Sequence, residues 1–316
     1  MAKTNKKSLR LDSDYTEDVV GFAIESFLSL ISFPFYRFSI EPFSRREEPM
    51  FGADGRLVGR MKGFKPFYMQ FKRPSAYPDY STSRIVRDRK TITPQALNTS
   101  PRTLYFGLRD KQNGQSDYQH NVLFNLRARL IQSRLGDAAY VCPLFLERSA
   151  YRFWVHMAGI RRWRRFLSPY PWDLEDVFVY VGGKRILFDR IPTLAEHVSI
   201  PPHGLVKNSN HSYSFTERGG EVCFHSPLSL PEGAVSLSSF LKNVSEGFLS
   251  NDSVILVEGA QRAIQTLLTS EVGEEGLPRP DGILENQDGI GAWLEWGDFI
   301  RREFEIEQFA LIRWEE

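Results

Sequence analysis

The chain has 316 residues, 41% of them hydrophobic, 25% charged and 13% aromatic, an ordinary composition for a folded soluble protein with one large core or two modest ones. Its net charge of +1 hides an imbalance: residues 1–170 hold 29 Lys/Arg against 15 Asp/Glu, and residues 171–316 hold 11 against 24. Cys142 and Cys223 are the only cysteines and form no CxxC pair, which argues against a disulfide framework and a structural zinc site.

Residues 1–15 read as a mobile basic tail (Lys3, Lys6, Lys7, Arg10) with no apolar signal core behind it, so a cytoplasmic location is expected. Thr16 to Phe33 reads as a helix. Glu17 and Asp18 suit its first turn, and Glu25 is the only charge in its apolar remainder. The apolar run falls short of the ~20 residues of a membrane span and is stopped by Pro34, so it is read as a buried helix.

Phe35 to Phe43 reads as a strand, followed by charges (Arg45, Arg46, Glu47, Glu48) and a second strand over Gly52 to Val58. Met61 to Pro66, with Gly63 and Pro66, reads as a turn into a third strand, Phe67 to Lys72. Strand side chains alternate faces, so Tyr68, Gln70 and Lys72 point one way while Phe67, Met69 and Phe71 point the other. Tyr77 to Arg102 reads as a long loop or short inserted strands. Asp117 or Ser116 caps a helix reaching Arg134, with Val122, Leu123, Leu126 and Leu130 at helical spacing. Ala138 to Phe145 reads as a buried strand whose pairing Pro143 interrupts late.

Arg161, Arg162, Arg164 and Arg165 surround Trp163 in the densest basic cluster. Arginines grip phosphate and a tryptophan stacks on a base, although internal pairing with the acidic half accounts for the cluster equally well. Val177 to Val181, the Gly182-Gly183 turn and Arg185 to Phe188 read as a hairpin. His203, His211, His225 and Cys223 match no zinc spacing. Ser236 to Leu249 and Ser253 to Leu268 read as helices, and Glu271 to Gly289 as a flexible connection. A helix around Trp293 to Ile300 and a terminal strand, Phe309 to Trp314, complete the chain. There is no internal repeat and no GxxxxGK[ST] phosphate loop.

Gly52-Ala53-Asp54, followed on the next strand by Gln70-Phe71-Lys72, resembles the PD-(D/E)xK, or restriction-endonuclease-like, superfamily of nucleases in a QxK variant. The resemblance covers about the first half of the chain. It implies an α/β (α+β) fold in which a helix, a three-stranded meander, a helix and a strand build a mixed sheet flanked by helices, with a C-terminal β and helical extension. The divisions it suggests are the tail at 1–15, a nuclease-like core at 16–175, a β-rich extension at 176–235 and an acidic, mainly helical region at 236–316. Two departures stand out: no proline precedes Asp54, and Gln70 stands where an acid is usual.

By the same resemblance, Asp54, Gln70 and Glu25 would hold Mg2+ (or Mn2+), with Glu48 as a further candidate, and Lys72 would orient the attacking water. Lys72, Arg73, Gln119 and the four arginines of the Trp163 cluster would contact DNA, leaving RNA open. Gln119 matches a glutamine that some branches, including archaeal Holliday-junction resolvases, place beside the metal. The implied setting is bacterial restriction or anti-phage defence. Two alternatives are a degenerate nuclease fold that binds nucleic acid without cutting, and an interaction scaffold whose acidic C-terminal half meets a protein partner.

Overall fold

The computed structural model describes residues 9–31, 38–43, 61–112, 114–153, 178–181, 184–187, 194, 196–249, 254–270, 276–285 and 288–315. The protein is α+β, with mixed sheets flanked by helices. Its centre is β3 (Met61–Phe71), eleven residues long and buried at every position but Lys62. The turn expected over Met61 to Pro66 is instead the first half of this strand. Antiparallel pairing with the chain's last strand, β14 (Glu307–Trp314), runs from Met61 to Met69 and overrides the local turn signal of Gly63 and Pro66.

β14 also pairs with β2 (Phe38–Pro42). The place beside β3 expected for the Gly52–Val58 strand is thus taken by the C-terminal strand, and Gly52 to Val58 itself lies outside the described residues. On the other edge, β3 pairs in parallel with β6 (Ala138–Pro143) and, briefly and antiparallel, with β13 (Ile255–Leu256). β6 continues to β9 (His197–Ile200) and β12 (Val235–Ser236), completing seven strands. Pro143 does not interrupt the pairing: it stands opposite His197 as the last residue of β6, and the Leu144 N–H still donates to the Glu196 carbonyl at 3.0 Å.

Alternation along β3 sorts the two faces. Phe67, Met69 and Phe71 join Val20, Ile24, Phe27 and Leu28 of α1 (Glu17–Ile31) and Phe240, Leu241 and Val244 of α4 (Leu237–Leu249). Phe64 and Tyr68 face the opposite layer. That layer holds Val122, Leu123, Leu126 and Leu130 of α3 (Gln119–Gln132), Ile264 and Leu267 of α5 (Ala260–Thr269), and Trp293, Trp296 and Ile300 of α6 (Gly289–Phe304). The parallel step β3 to β6 is bridged by α3, as such a connection requires. Its closing turn approaches so near that a Cβ at Gly136 would stand 2.0 Å from the Pro66 carbonyl oxygen. Tyr118 precedes α3 without a side-chain cap. Asp117, expected to cap it, accepts instead from the Tyr118 N–H (2.6 Å) and from Asn121 Nδ2 (2.9 Å).

A second sheet of five strands, β1 (Leu11–Asp12), β4 (Ser75–Pro78), β5 (Arg102–Gly107), β10 (Ser212–Thr216) and β11 (Cys223–His225), shares the α3-side core through Phe106, Tyr213 and Phe215. The segment read as a loop contains α2 (Arg84–Thr91), capped by Ser83 Oγ, which accepts from the Val86 N–H at 3.3 Å. α2 is pinned to this sheet by a polar chain. Arg89 Nη1 donates to Ser214 Oγ (3.1 Å), that hydroxyl donates to His225 Nε2 (2.9 Å), and His225 Nδ1 donates to Asp88 (3.0 Å). The order is that of a hydrolytic triad, but Ser214 is wholly buried and held by Arg89, which makes the chain a structural lock. β7 (Phe178–Val181) and β8 (Lys184–Leu187) form the expected hairpin.

Candidate functional site

Beyond the last residue of β3, the Lys72 N–H donates to the Val141 carbonyl at 2.9 Å, extending the parallel pairing by one step. The Lys72 side chain therefore keeps the phase of Tyr68 and Gln70 and enters the α3–α6 layer. It is 1% exposed. Its Nζ donates to Gln119 Oε1 at 3.1 Å and lies 5.9 Å from the centre of the Tyr140 ring. Gln119 is the first residue of α3, and its Nε2 donates to the Phe304 carbonyl at the end of α6, which fixes the amide so that oxygen faces lysine.

Gln70, also 1% exposed, finds no partner among the described residues for either Oε1 or Nε2. A buried amide left so is destabilising by ~1–3 kcal/mol per unmatched group. Burying a lysine against a neutral amide is costly too. Burial is the main reason the Lys72 amine falls to about 8; Glu17 opposes the fall, Arg109 adds to it, and Glu305 opposes it. These last three residues form one cluster. Arg109, just past β5, gives Nη2 to Glu17 at 2.6 Å and Nη1 to Glu305. Beside them Gln115 Nε2 donates to the Glu303 carbonyl.

Of the residues singled out from sequence, Lys72, Gln70 and Gln119 come together in one layer. Arg73 is exposed at the mouth of the strand. Glu25 lies one layer away. Its helix α1 packs against Phe67, Met69 and Phe71, on the face opposite Gln70, and its charge helps burial to raise the Glu41 carboxyl. Asp54, Glu48, Arg161, Arg162, Arg164 and Arg165 lie outside the described residues. His120, next to Gln119, is structural: Nε2 donates to Gly204 O and Nδ1 accepts from Tyr140 Oη, both at 2.8 Å, and burial lowers its pKa to about 4.

Sequence reading missed Arg109, Glu305 and Tyr140. Glu17 was legible as a first-turn acid, but its partner lies 92 positions away. Among the described residues, no group of three His, Cys, Asp or Glu side chains is placed to hold a metal, and no helix is long and apolar enough to cross a membrane. Compared with protein-family models, curated proteins and solved structures, the chain matches none.

Proposed function

We propose that the chain carries a restriction-endonuclease-like core and acts as a Mg2+- or Mn2+-dependent nuclease on DNA, in a restriction or anti-phage setting. The observation that supports this most is the Lys72–Gln119 contact. It joins the end of a central strand to the first residue of the crossover helix, with Gln70 unpartnered two residues earlier on the same face.

Gln70 fits as one ligand of a hard cation, because its orphaned carbonyl oxygen is the donor type that magnesium accepts. The carboxylate would come from Asp54. When bound, the ion would activate a water and polarise the phosphate. The chain's own contribution is Lys72. With an amine titrating near 8 it is mostly protonated at neutral pH, and Gln119 aims that charge without neutralising it. A cation held in a dry, low-dielectric setting is well suited to offset charge developing on a phosphoryl oxygen.

One observation favours the second reading, a degenerate fold that binds nucleic acid without cutting it: Gln70 and Lys72 are both closed off from solvent. Nicking of supercoiled plasmid with magnesium, manganese or chelator separates the two. Asp54→Ala and Lys72→Ala should each lower cleavage about a hundredfold or more, while Gln70→Glu should keep or raise it. Equal cleavage by wild type and Asp54→Ala would sink the proposed site. No cleavage by either, with DNA still bound, favours the degenerate binder.

A further inference from the structure

Among the described residues, Arg109 is the only cation of the ion-pair cluster beside Lys72, and it is outnumbered. Its two terminal nitrogens are divided between Glu17, in the first turn of α1, and Glu305, the residue that ends α6. A guanidinium fork suits a single carboxylate or a phosphate in bidentate fashion, so dividing it between two acids from separate elements is a different use of the group. Two carboxylates around one guanidinium leave the cluster net negative, which repels a phosphodiester. The Arg109 side chain is 40% exposed while Lys72 is 1% exposed, and the charges of Glu17, Arg109 and Glu305 all act on the buried amine.

Gln70 is buried on the same face as Lys72, with no partner among the described residues. The α6 turn that supplies Glu305 is held by side-chain amides, Gln115 to Glu303 O and Gln119 to Phe304 O, and its last residue adopts φ +51°, a left-handed conformation unusual for glutamate. Contacts of this kind can be exchanged without unmaking the hydrophobic core.

We propose that Glu17 and Glu305 occupy Arg109 in place of a substrate phosphodiester, keeping Lys72 out of reach, and that withdrawal of these carboxylates exposes Lys72 and frees Arg109 to grip the phosphate. Arg109 is then a positioning residue for nucleic acid, and the closed arrangement is self-inhibited. The proposal rests on the nucleic-acid reading of the Gln70–Lys72 site.

Acylation of Lys72 by acetic anhydride, read by mass spectrometry against the exposed Lys62, reports access to Lys72 independently of activity. In the full chain carrying Glu17→Gln and Glu305→Gln, Lys72 should acylate roughly tenfold faster at about pH 10, where its amine is neutral with or without the two carboxylates. A short fluorescein-labelled DNA duplex should bind about fivefold tighter, and adding Arg109→Ala should abolish that gain. The wild-type chain needs no substitution to be tested: raising salt from about 0.05 to about 0.5 M screens partly exposed ion pairs and should speed Lys72 labelling.

Lys72 as protected in the double variant as in wild type, or a binding gain that survives Arg109→Ala, overturns the proposal. The nuclease reading fails separately. A double variant that binds through Arg109 yet never cleaves upholds the gate and overturns that reading. Cleavage with Lys72 still protected does the reverse.

Discussion

Lys72 illustrates how a functional assignment becomes a stability statement. Its folded pKa of about 8 lies below the ordinary 10.5, so between these values the unfolded chain binds more protons than the folded one, and stability rises with pH across that window. At neutral pH both states are protonated, and the folded state carries the full cost of a buried ammonium, ~3 kcal/mol. Lys72→Met removes that cost but leaves Gln119 Oε1 without its donor, at about 1 kcal/mol. Urea denaturation should therefore find the variant ~2 kcal/mol more stable at neutral pH, with the gain gone by pH 10.5. A variant less stable than wild type at neutral pH would mean that Lys72 serves the fold.

The shared face of Gln70 and Lys72 was legible because alternation is a local rule. The arginine and glutamates around them were not. Arg109 and Glu305 are 196 positions apart, and nothing in either neighbourhood marks them as partners.

At the scale of elements, the helix and strand signals held where the pattern was long. α1, α3, α4, α6 and β14 lie close to the segments read from periodicity, and β7–β8 follow their double glycine. Failures came where non-local pairing outweighs local chemistry. Gly63 and Pro66 signal a turn, yet they sit inside β3 because β14 runs alongside them. α2 was hidden in a polar stretch whose only marks are the Ser83 cap and the Arg89-Lys90 end.

The β3–α3–β6 unit that carries the site depends on one close approach. Gly136→Ala would drive a methyl into the Pro66 carbonyl, a backbone group that cannot turn away. We expect a loss of about 3 kcal/mol in thermal or urea unfolding. Gly276→Ala, with no neighbour within 4 Å of the added carbon, is the control and should stay within about 0.5 kcal/mol of wild type. Equal behaviour of the two variants would show that the turn can move away from β3.

At the scale of the molecule, the charge imbalance read from sequence is partly settled within the fold. Arg89, Arg102 and Arg109 of the basic half meet Glu221, Glu217 and Glu305 of the acidic half. Partly exposed pairs of this kind each stabilise by roughly 0–1 kcal/mol, so they do not by themselves account for an excess of 14 positive charges in residues 1–170. On the proposed nuclease reading, that surplus would meet the phosphate backbone.

The C-terminal strand lies between β2 and β3, so the helix that supplies Glu305 and the strand that supplies Gln70 belong to one layered unit. Whether that unit holds a catalytic ion turns on Asp54. A crystal structure grown with manganese, with anomalous scattering collected at its absorption edge, tests this most directly. The account predicts a peak about 2.2 Å from both Gln70 Oε1 and an Asp54 carboxylate oxygen, with Lys72 Nζ beside it. An ordered Asp54 on the α1–α4 face of the sheet, or a manganese peak remote from Gln70, would contradict it.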